Sequence, residues 1–328
     1  MQGSALTSVT IGDQIGRYGF PGGHPFGPHR MGVFWDEARR LGLEALVSVC
    51  EPVPATREDL QRFHTPAYVT LVEERSRTGT GYLDYGDTPA FPGVFDAASH
   101  VVGSALDAME RILAGECRRA FVPIAGLHHA RPERAGGFCV FNDAGVVIHA
   151  LRAKHGIRRI AYVDIDAHHG DGVFYAFEAD PDLIFADLHQ DGATLYPGTG
   201  SADERGKGVA EGSKMNIPLP PGTGDAHFAQ VWPRVVAFLH ENKPEFFILQ
   251  AGTDSIAGDP LTQMRLSANT HFLVTSRLVR LAESMGHGRL LALGGGGYHP
   301  PNIAKGWCEV VRALVETPVG HGDGQGEP

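Results

Sequence analysis

The sequence predicts an α/β protein, a single three-layer α/β/α domain around a mostly parallel central sheet. Three observations lead there. Short apolar runs recur along the chain, each bounded by turn residues and too short for a buried helix. Between them lie longer segments with Ala, Val and Leu at helical spacing, the alternation that right-handed β-α crossovers produce. Gly, Asp and His gather after the apolar runs, on the side where open α/β sheets bind their ligands. With 328 residues and 42% hydrophobic content the chain has ample material for one large core, and no linker divides it.

Residues 17 to 30 are rich in Gly and Pro and read as a loop. Met31 to Leu41 reads as a helix and Ala45 to Cys50 as a strand, after which Thr56 and Asp59 offer a capping pair for a helix through Phe63. Tyr82 to Pro92 is irregular and carries Asp84 and Asp87; Val94 to Leu113 is a long helix. Ala120 to Ile124 is a strand followed by the tandem His128-His129. Asn142 caps a helix to Lys154, and Ile160 to Val163 is a buried strand leading into a helix over 172–178. Leu183 to Leu188 is the next strand, and 191–211 a long loop of the kind that often carries function. Lys214 to Ile217 and Phe246 to Gln250 read as strands flanking a helix over 226–241. A helix over 267–285, a strand over 289–293, the glycines Gly294 to Gly297, and a helix over 302–315 complete the domain. The polar, Gly-rich stretch 318–328 reads as a disordered tail, leaving 1–317 as the domain.

A net charge of −10 disfavours nucleic acid and anionic membranes as partners and suits a cationic substrate. The four cysteines, Cys50, Cys117, Cys139 and Cys308, have no paired spacing and read as reduced thiols. No apolar run approaches the roughly 18 residues of a membrane span and the first residues do not look like a secretory signal, so a soluble, cytoplasmic protein is expected.

The most informative stretch is 160–172, where an apolar strand ends in Asp164, Asp166 and His168, with His169 and Asp171 following. Burying so many ionisable groups without partners would cost roughly 2–7 kcal/mol for each unsatisfied group, so they must pair with a cation or with one another. A metal site is the simplest account. Asp254 beyond another strand, the tandem histidines and Tyr298 after the glycine run complete the inventory of a one-metal hydrolase. The glycine run lacks a following Lys-Ser/Thr and opens no helix in a Gly-x-Gly-x-x-Gly pattern, which argues against nucleotide binding. Its reading is close backbone packing that positions Tyr298.

Collected in this order, the motifs resemble the zinc-dependent histone deacetylase and acetylpolyamine amidohydrolase family, from about Tyr18 to Trp307. The resemblance implies the arginase/deacetylase fold and a histone deacetylase-like catalytic domain. It implies that Asp166, His168 and Asp254 bind one Zn2+, leaving open positions as a catalytic site requires. His128 and His129 resemble the catalytic histidines, with Asp164 and Asp171 as their carboxylate partners; His129 is read as the general base and His128 as electrostatic. Tyr298 resembles the tyrosine that donates to the oxyanion. Gly137, Phe138 and Tyr196 resemble the walls of an acyl-lysine tunnel, with Tyr196 standing where the family more often has Phe. Asp87 resembles the rim carboxylate and Arg30 the arginine of an acetate channel. Oxygens around Asp164, Asp166, His168, Asp187 and Leu188 resemble a monovalent-cation site for K+, though the family often has Ser where Asp187 stands.

A second metal of the arginase kind lacks its ligands, because Gly170 and Ile256 occupy the positions where those enzymes carry Asp. The expected reaction is removal of acetyl or a similar small acyl group from N-ε-acyl-lysine in a peptide or protein. Deacetylation of an acetylpolyamine is the rival, weighed against by the apolar Leu261 at the gatekeeper position, and a non-catalytic acyl-lysine binder is the more distant alternative. A homo-oligomer stays open.

Overall fold

Eight parallel strands form one sheet in the order β2-β1-β3-β8-β7-β4-β5-β6. The structure is a computed structural model that describes residues 6–318. The strands are β1 (Thr7–Thr10), β2 (Ser48–Cys50), β3 (Arg119–Val122), β4 (Ile160–Asp164), β5 (Leu183–Gln190), β6 (Lys214–Leu219), β7 (Phe246–Gln250) and β8 (Leu290–Leu293). The helices are α1 (Asp13–Gly16), α2 (Arg30–Arg40), α3 (Arg57–Leu60), α4 (Pro66–Thr78), α5 (Val94–Leu113), α6 (Asp143–His155), α7 (Asp171–Ala176), α8 (Asp225–Asn242), α9 (Ala268–Ser284) and α10 (Pro300–Glu316). Every residue of β3, β4, β5, β7 and β8 is buried. Strands of a parallel sheet covered on both faces read as continuous apolar runs for this reason.

Three elements depart from the sequence expectation. The run 45–50 splits into a 3-10 turn, Leu43–Leu46, and the short strand β2. Strand β1 is not apolar: it reads Thr-Ser-Val-Thr yet is wholly buried, with Thr7 Oγ1 donating to the Leu314 carbonyl and Ser8 Oγ meeting Cys117 Sγ. Helix α4 is also additional. It is capped by the Thr65 side chain on the Tyr68 N–H and carries Pro66 in its first turn, where a missing N–H costs nothing. The expected tail lies outside the described residues apart from Pro318.

One buried cation ties the packed pair α9 and α10 to the sheet. Arg119 on β3 donates to the carbonyls of Leu314 and Thr317 at 2.6 and 2.9 Å and meets Glu283 of α9 at 3.1 Å. Among the described residues no helix is long and apolar enough to cross a membrane.

Candidate active site and metal centre

Strand register brings the polar residues together. Asp164 at the end of β4 lies level with Asp187 on β5 and with Gln250 on β7, so three buried polar side chains stand in a row across the carboxyl edge of the sheet. Just beyond that edge, Asp166, His168 and Asp254 place one ligand atom each within 4.8 Å of one another, all buried. Each carboxylate has one oxygen fixed from behind. Asp166 Oδ2 accepts from Gln250 Nε2 at 2.9 Å and from the Gly296 N–H at 2.8 Å, and Asp254 Oδ1 accepts from the Ala167 N–H at 2.8 Å. The other oxygens, Asp166 Oδ1 and Asp254 Oδ2, both lie 3.0 Å from His168 Nδ1. Two oxygens and one imidazole nitrogen converging on one point fit a zinc-type ion, with outer hydrogen bonds setting their orientation. The charge balance agrees. Burial would lower His168, but Asp166 and Asp254 outweigh it and raise it to about 10, while burial and Asp166 push Asp254 up to about 7. The cluster therefore attracts positive charge.

The tandem histidines sit in the turn after β3, each with its own carboxylate. His128 Nδ1 lies 2.8 Å from Asp164 Oδ2, and His129 Nδ1 2.7 Å from Asp171 Oδ1. Their Nε2 atoms are 3.0 Å apart. The surroundings split the pair. For His128, burial is outweighed by Asp164 and Asp166, which raise it to about 9; for His129, burial and the neighbouring His128 lower it to about 4. The surroundings thus favour the charged form of His128 and the neutral form of His129. Behind them Asp171 also accepts from Arg131 Nη2 at 2.7 Å.

Tyr298 reaches the centre because the glycine run lets the chain pass against the carboxylates. A Cβ on Gly296 would press into Asp254 Oδ2 and Asp166 Oδ2. The backbone N–H of Tyr298 donates to Asp259 Oδ2 at 2.8 Å, and its ring packs edge-on to Phe138 at 5.8 Å and His168 at 6.5 Å. Burial, with Asp254 and Asp166 nearby, holds the phenol well above its ordinary range, so it stays a donor. Beneath it Arg30 is fully buried, donates to the carbonyls of Gly295 and Gly297, lies over the Phe26 ring at 4.0 Å, and keeps its Nη1 without a hydrogen-bond partner among the described residues.

Tyr196, Gly137 and Phe138 gather around His129 and Tyr298. Tyr196 meets the His129 ring at 5.1 Å and is 47% exposed. Gly137 has φ +51° and a Cβ there would strike the His129 ring. Phe138 follows at φ +68°, a left-handed conformation that costs an L-residue roughly 1–2 kcal/mol. It is held by the Thr88 hydroxyl accepting its N–H at 3.1 Å and by the Tyr18 hydroxyl donating to its carbonyl at 2.7 Å. The 17–30 loop forms part of this wall, with His24 edge-on to Phe138 at 4.5 Å. Asp87 lines a recess together with His129, Arg131 and Tyr196, and Leu261 is half-buried in the loop anchored by Asp259. Of the set expected to surround a monovalent cation, Asp187 Oδ1 meets His189 Nδ1 at 2.7 Å and its Oδ2 accepts the Gly170 N–H at 2.8 Å; Leu188 is buried beside it.

The chain matches the histone deacetylase domain family over residues 24–314. It belongs to the histone deacetylase family. A protein named "Probable deacetylase" from Archaeoglobus fulgidus is 39% identical over 84% of this chain and 76% of its own. The acetoin utilization protein AcuC of Bacillus subtilis is 34% identical over 93% and 81%, and the histone deacetylase RPD3 of Saccharomyces cerevisiae is 32% identical over 90% and 68%. Among solved structures, the HD domain of HDA15 superposes with a TM-score of 0.86 at 29% identity, covering 94% of this chain and 88% of that one. The arginase/deacetylase type of α/β fold expected from sequence is the one observed.

Several residues of the site escape a sequence reading. Gln250 contacts Asp166 from 84 positions away, and its signal was a lone amide ending an apolar strand. Asp143 accepts the N–H groups of Gly126 and Leu127 and shapes the turn before the histidines. Asp259 and Arg131 act through Tyr298 and Asp171, contacts that no local spacing encodes.

Proposed function

We propose that the protein is a zinc-dependent amidohydrolase that removes acetyl or a similar small acyl group from the ε-nitrogen of lysine. One observation carries this reading: a buried three-donor metal set, two carboxylate-backed histidines and a tyrosine meet beyond four adjacent strand ends. Asp166, His168 and Asp254 would hold the ion. When bound, zinc polarises the amide carbonyl and acidifies water. His129, kept neutral by burial and by His128, accepts the proton of the attacking water at Nε2. It returns that proton to the leaving nitrogen as the C–N bond breaks, and the second proton of the water passes from the nascent acid to the amine, so the products are a carboxylate and an ammonium. Asp171 holds the Nδ1–H and thereby fixes the tautomer. His128, paired with Asp164, supplies positive charge beside the developing anion, and the Tyr298 hydroxyl donates to it. Gly137, Phe138 and Tyr196 enclose the alkyl chain, and Asp87 is the rim acceptor for a substrate N–H. The unpartnered Arg30 Nη1 suits a carboxylate product in an inner channel. A potassium ion is proposed beside Asp164, Asp166, His168, Asp187 and Leu188, with His189 already meeting part of the charge of Asp187.

The apolar Leu261 favours a peptide, whereas the acidic pair Asp84 and Asp87 at the mouth favours the second reading, an acetylated polyamine. The test is a rate comparison of the zinc-loaded protein on an acetyl-lysine peptide and on acetylated putrescine or spermidine, with a chelator control. Chelator-sensitive preference for the peptide supports the proposal. Preference for the polyamine keeps the mechanism and replaces the substrate; turnover that survives chelation refutes the metal role.

A further inference from the structure

Beside the tunnel mouth the surface sinks into a recess of about 370 Å3, bounded by Asp84, Tyr85, Asp87, Arg131, Arg134 and Tyr196. We propose that this recess is a carboxylate subsite, which receives a carboxylate carried next to the acylated lysine side chain, with Arg134 as its main partner and Arg131 behind it. The proposal rests on the deacylase reading above and narrows its substrate class.

The acidic residues around the recess are already engaged. Asp171 stands between His129 and Arg131. Asp84 Oδ1 accepts three backbone N–H groups, from Gly86, Asp87 and Thr88, at 2.9 to 3.1 Å. Asp87 receives the Thr88 hydroxyl at 3.1 Å, and partial burial together with Asp84 pushes its carboxyl up to about 7, so it faces the recess with less than a full charge. Arg134 is differently placed. Among the described residues its one ion pair runs to Glu133 at 3.0 Å, and Glu133 is 56% exposed; pairs of that kind are worth about 0–1 kcal/mol and exchange readily. The guanidinium lies 5.4 Å from the ring of Tyr85, which is 92% exposed and has no core to pack against, so the two form a wall over the recess. A planar fork beside a wall suits bidentate capture of a carboxylate.

The recess adjoins the chemistry: His129 lines both it and the inner cavity bounded by Asp166, His168 and Tyr298. A lysine chain threaded to the metal site leaves its α-carbon at the mouth. From there two sources of carboxylate are available, the α-carboxylate of free N-ε-acetyl-lysine or an Asp or Glu side chain adjacent in a peptide. The ammonium tail of a polyamine entering the same recess would meet the guanidinium of Arg134 and also the carboxyls of Asp84 and Asp87, so the comparison of peptide with polyamine remains a separate test.

The test measures kcat/KM for two charged and neutral pairs: free N-ε-acetyl-lysine against its C-terminal amide, and an acetyl-lysine peptide with Asp beside the lysine against the same peptide with Asn. Wild type, Arg134→Ala and Arg134→Lys are compared by the charged-to-neutral ratio within each variant, a ratio that a general loss of fold or metal leaves unchanged. Wild type is expected to favour the charged member of at least one pair by about tenfold or more, chiefly through KM, the scale of a hydrogen bond to a charged group. Arg134→Ala brings the ratio near one and Arg134→Lys restores part of it. Preference confined to the first pair assigns the α-carboxylate, and preference confined to the second assigns the neighbouring side chain. A wild-type ratio near one in both pairs, or a ratio that survives Arg134→Ala, overturns the subsite while leaving the deacylase intact. No turnover of any acyl-lysine by metal-loaded protein overturns both.

Discussion

Replacing Tyr298 with Phe removes one hydroxyl and nothing that holds its loop. The backbone N–H still donates to Asp259, and the ring still packs against Phe138 and against Phe26, whose centroids lie 5.8 and 6.4 Å away. The phenol is kept protonated by burial beside Asp254 and Asp166, so across the usual assay range it acts only as a donor. One preorganised oxyanion donor is worth about 2.7–4 kcal/mol, which corresponds to a fall of ~10²–10³ in kcat. Because the contribution belongs to the transition state, KM is expected to stay within about threefold. Bound metal should be unchanged, since none of its three candidate ligands touches the hydroxyl. Steady-state hydrolysis of an acetyl-lysine peptide, with metal content measured on the same preparation, tests both halves. A kcat within about threefold of wild type would refute the assigned role, and loss of metal would show the ring to be structural.

Gly296→Ala places a methyl against the centre-facing Oδ2 of Asp254 and the supported Oδ2 of Asp166, so metal affinity should fall by about 10–100-fold, the range for disturbed ligand support. Chelator competition reads this directly, and unchanged affinity would mean that the glycine run yields without moving the carboxylates. Arg119→Met removes one of two partners of Glu283, which keeps Arg118 at 2.6 Å, and takes a buried donor from the Leu314 and Thr317 carbonyls, for an expected loss of about 1–3 kcal/mol in denaturant unfolding. His64 supplies the pH prediction. It is buried between the Arg131 carbonyl and the Asn142 N–H, and burial lowers it to about 3, so the folded protein holds it neutral. The unfolded chain binds the extra proton first. The stability that neutral His64 contributes is complete above pH ~6.5 and is lost as pH falls toward about 3, with a slope of roughly 1.4 kcal/mol per pH unit. His64→Gln should flatten that slope in unfolding curves measured between those limits, and an unchanged slope would assign the acid sensitivity to other groups.

The strand ends were legible because chemistry and periodicity coincide there: an apolar run stops and carboxylates or imidazoles begin, as at Asp164 and Asp254. Strand β1 was not, because its burial depends on hydroxyls that find distant partners in Leu314 and Cys117. Helix α4 had a local signal, Thr65 followed by Pro66, but Glu and Arg side chains dilute its apolar face. The roles suggested for Asp166, His168 and Asp254 came from the resemblance, and the structure brings those three side chains together around one point. Gln250, Asp259 and Arg131 are of another kind. Each orients a residue that faces the centre, and that relation exists only after the chain has folded.

The place of β8 has a consequence for assembly. It is the last strand in the chain, yet it lies in the interior of the sheet, between β3 and β7. Until residues 290–293 are inserted, the protein can hold only two smaller sheets, β2-β1-β3 and β7-β4-β5-β6, each with an unpaired edge turned toward the gap. Such edges are where chains pair wrongly. The closing strand brings Tyr298 with it, so the act that joins the two halves also delivers the tyrosine to the histidines and the metal ligands. A chain that stops short of β8 lacks its keystone rather than its margin, and no partly built version of the sheet presents a complete site.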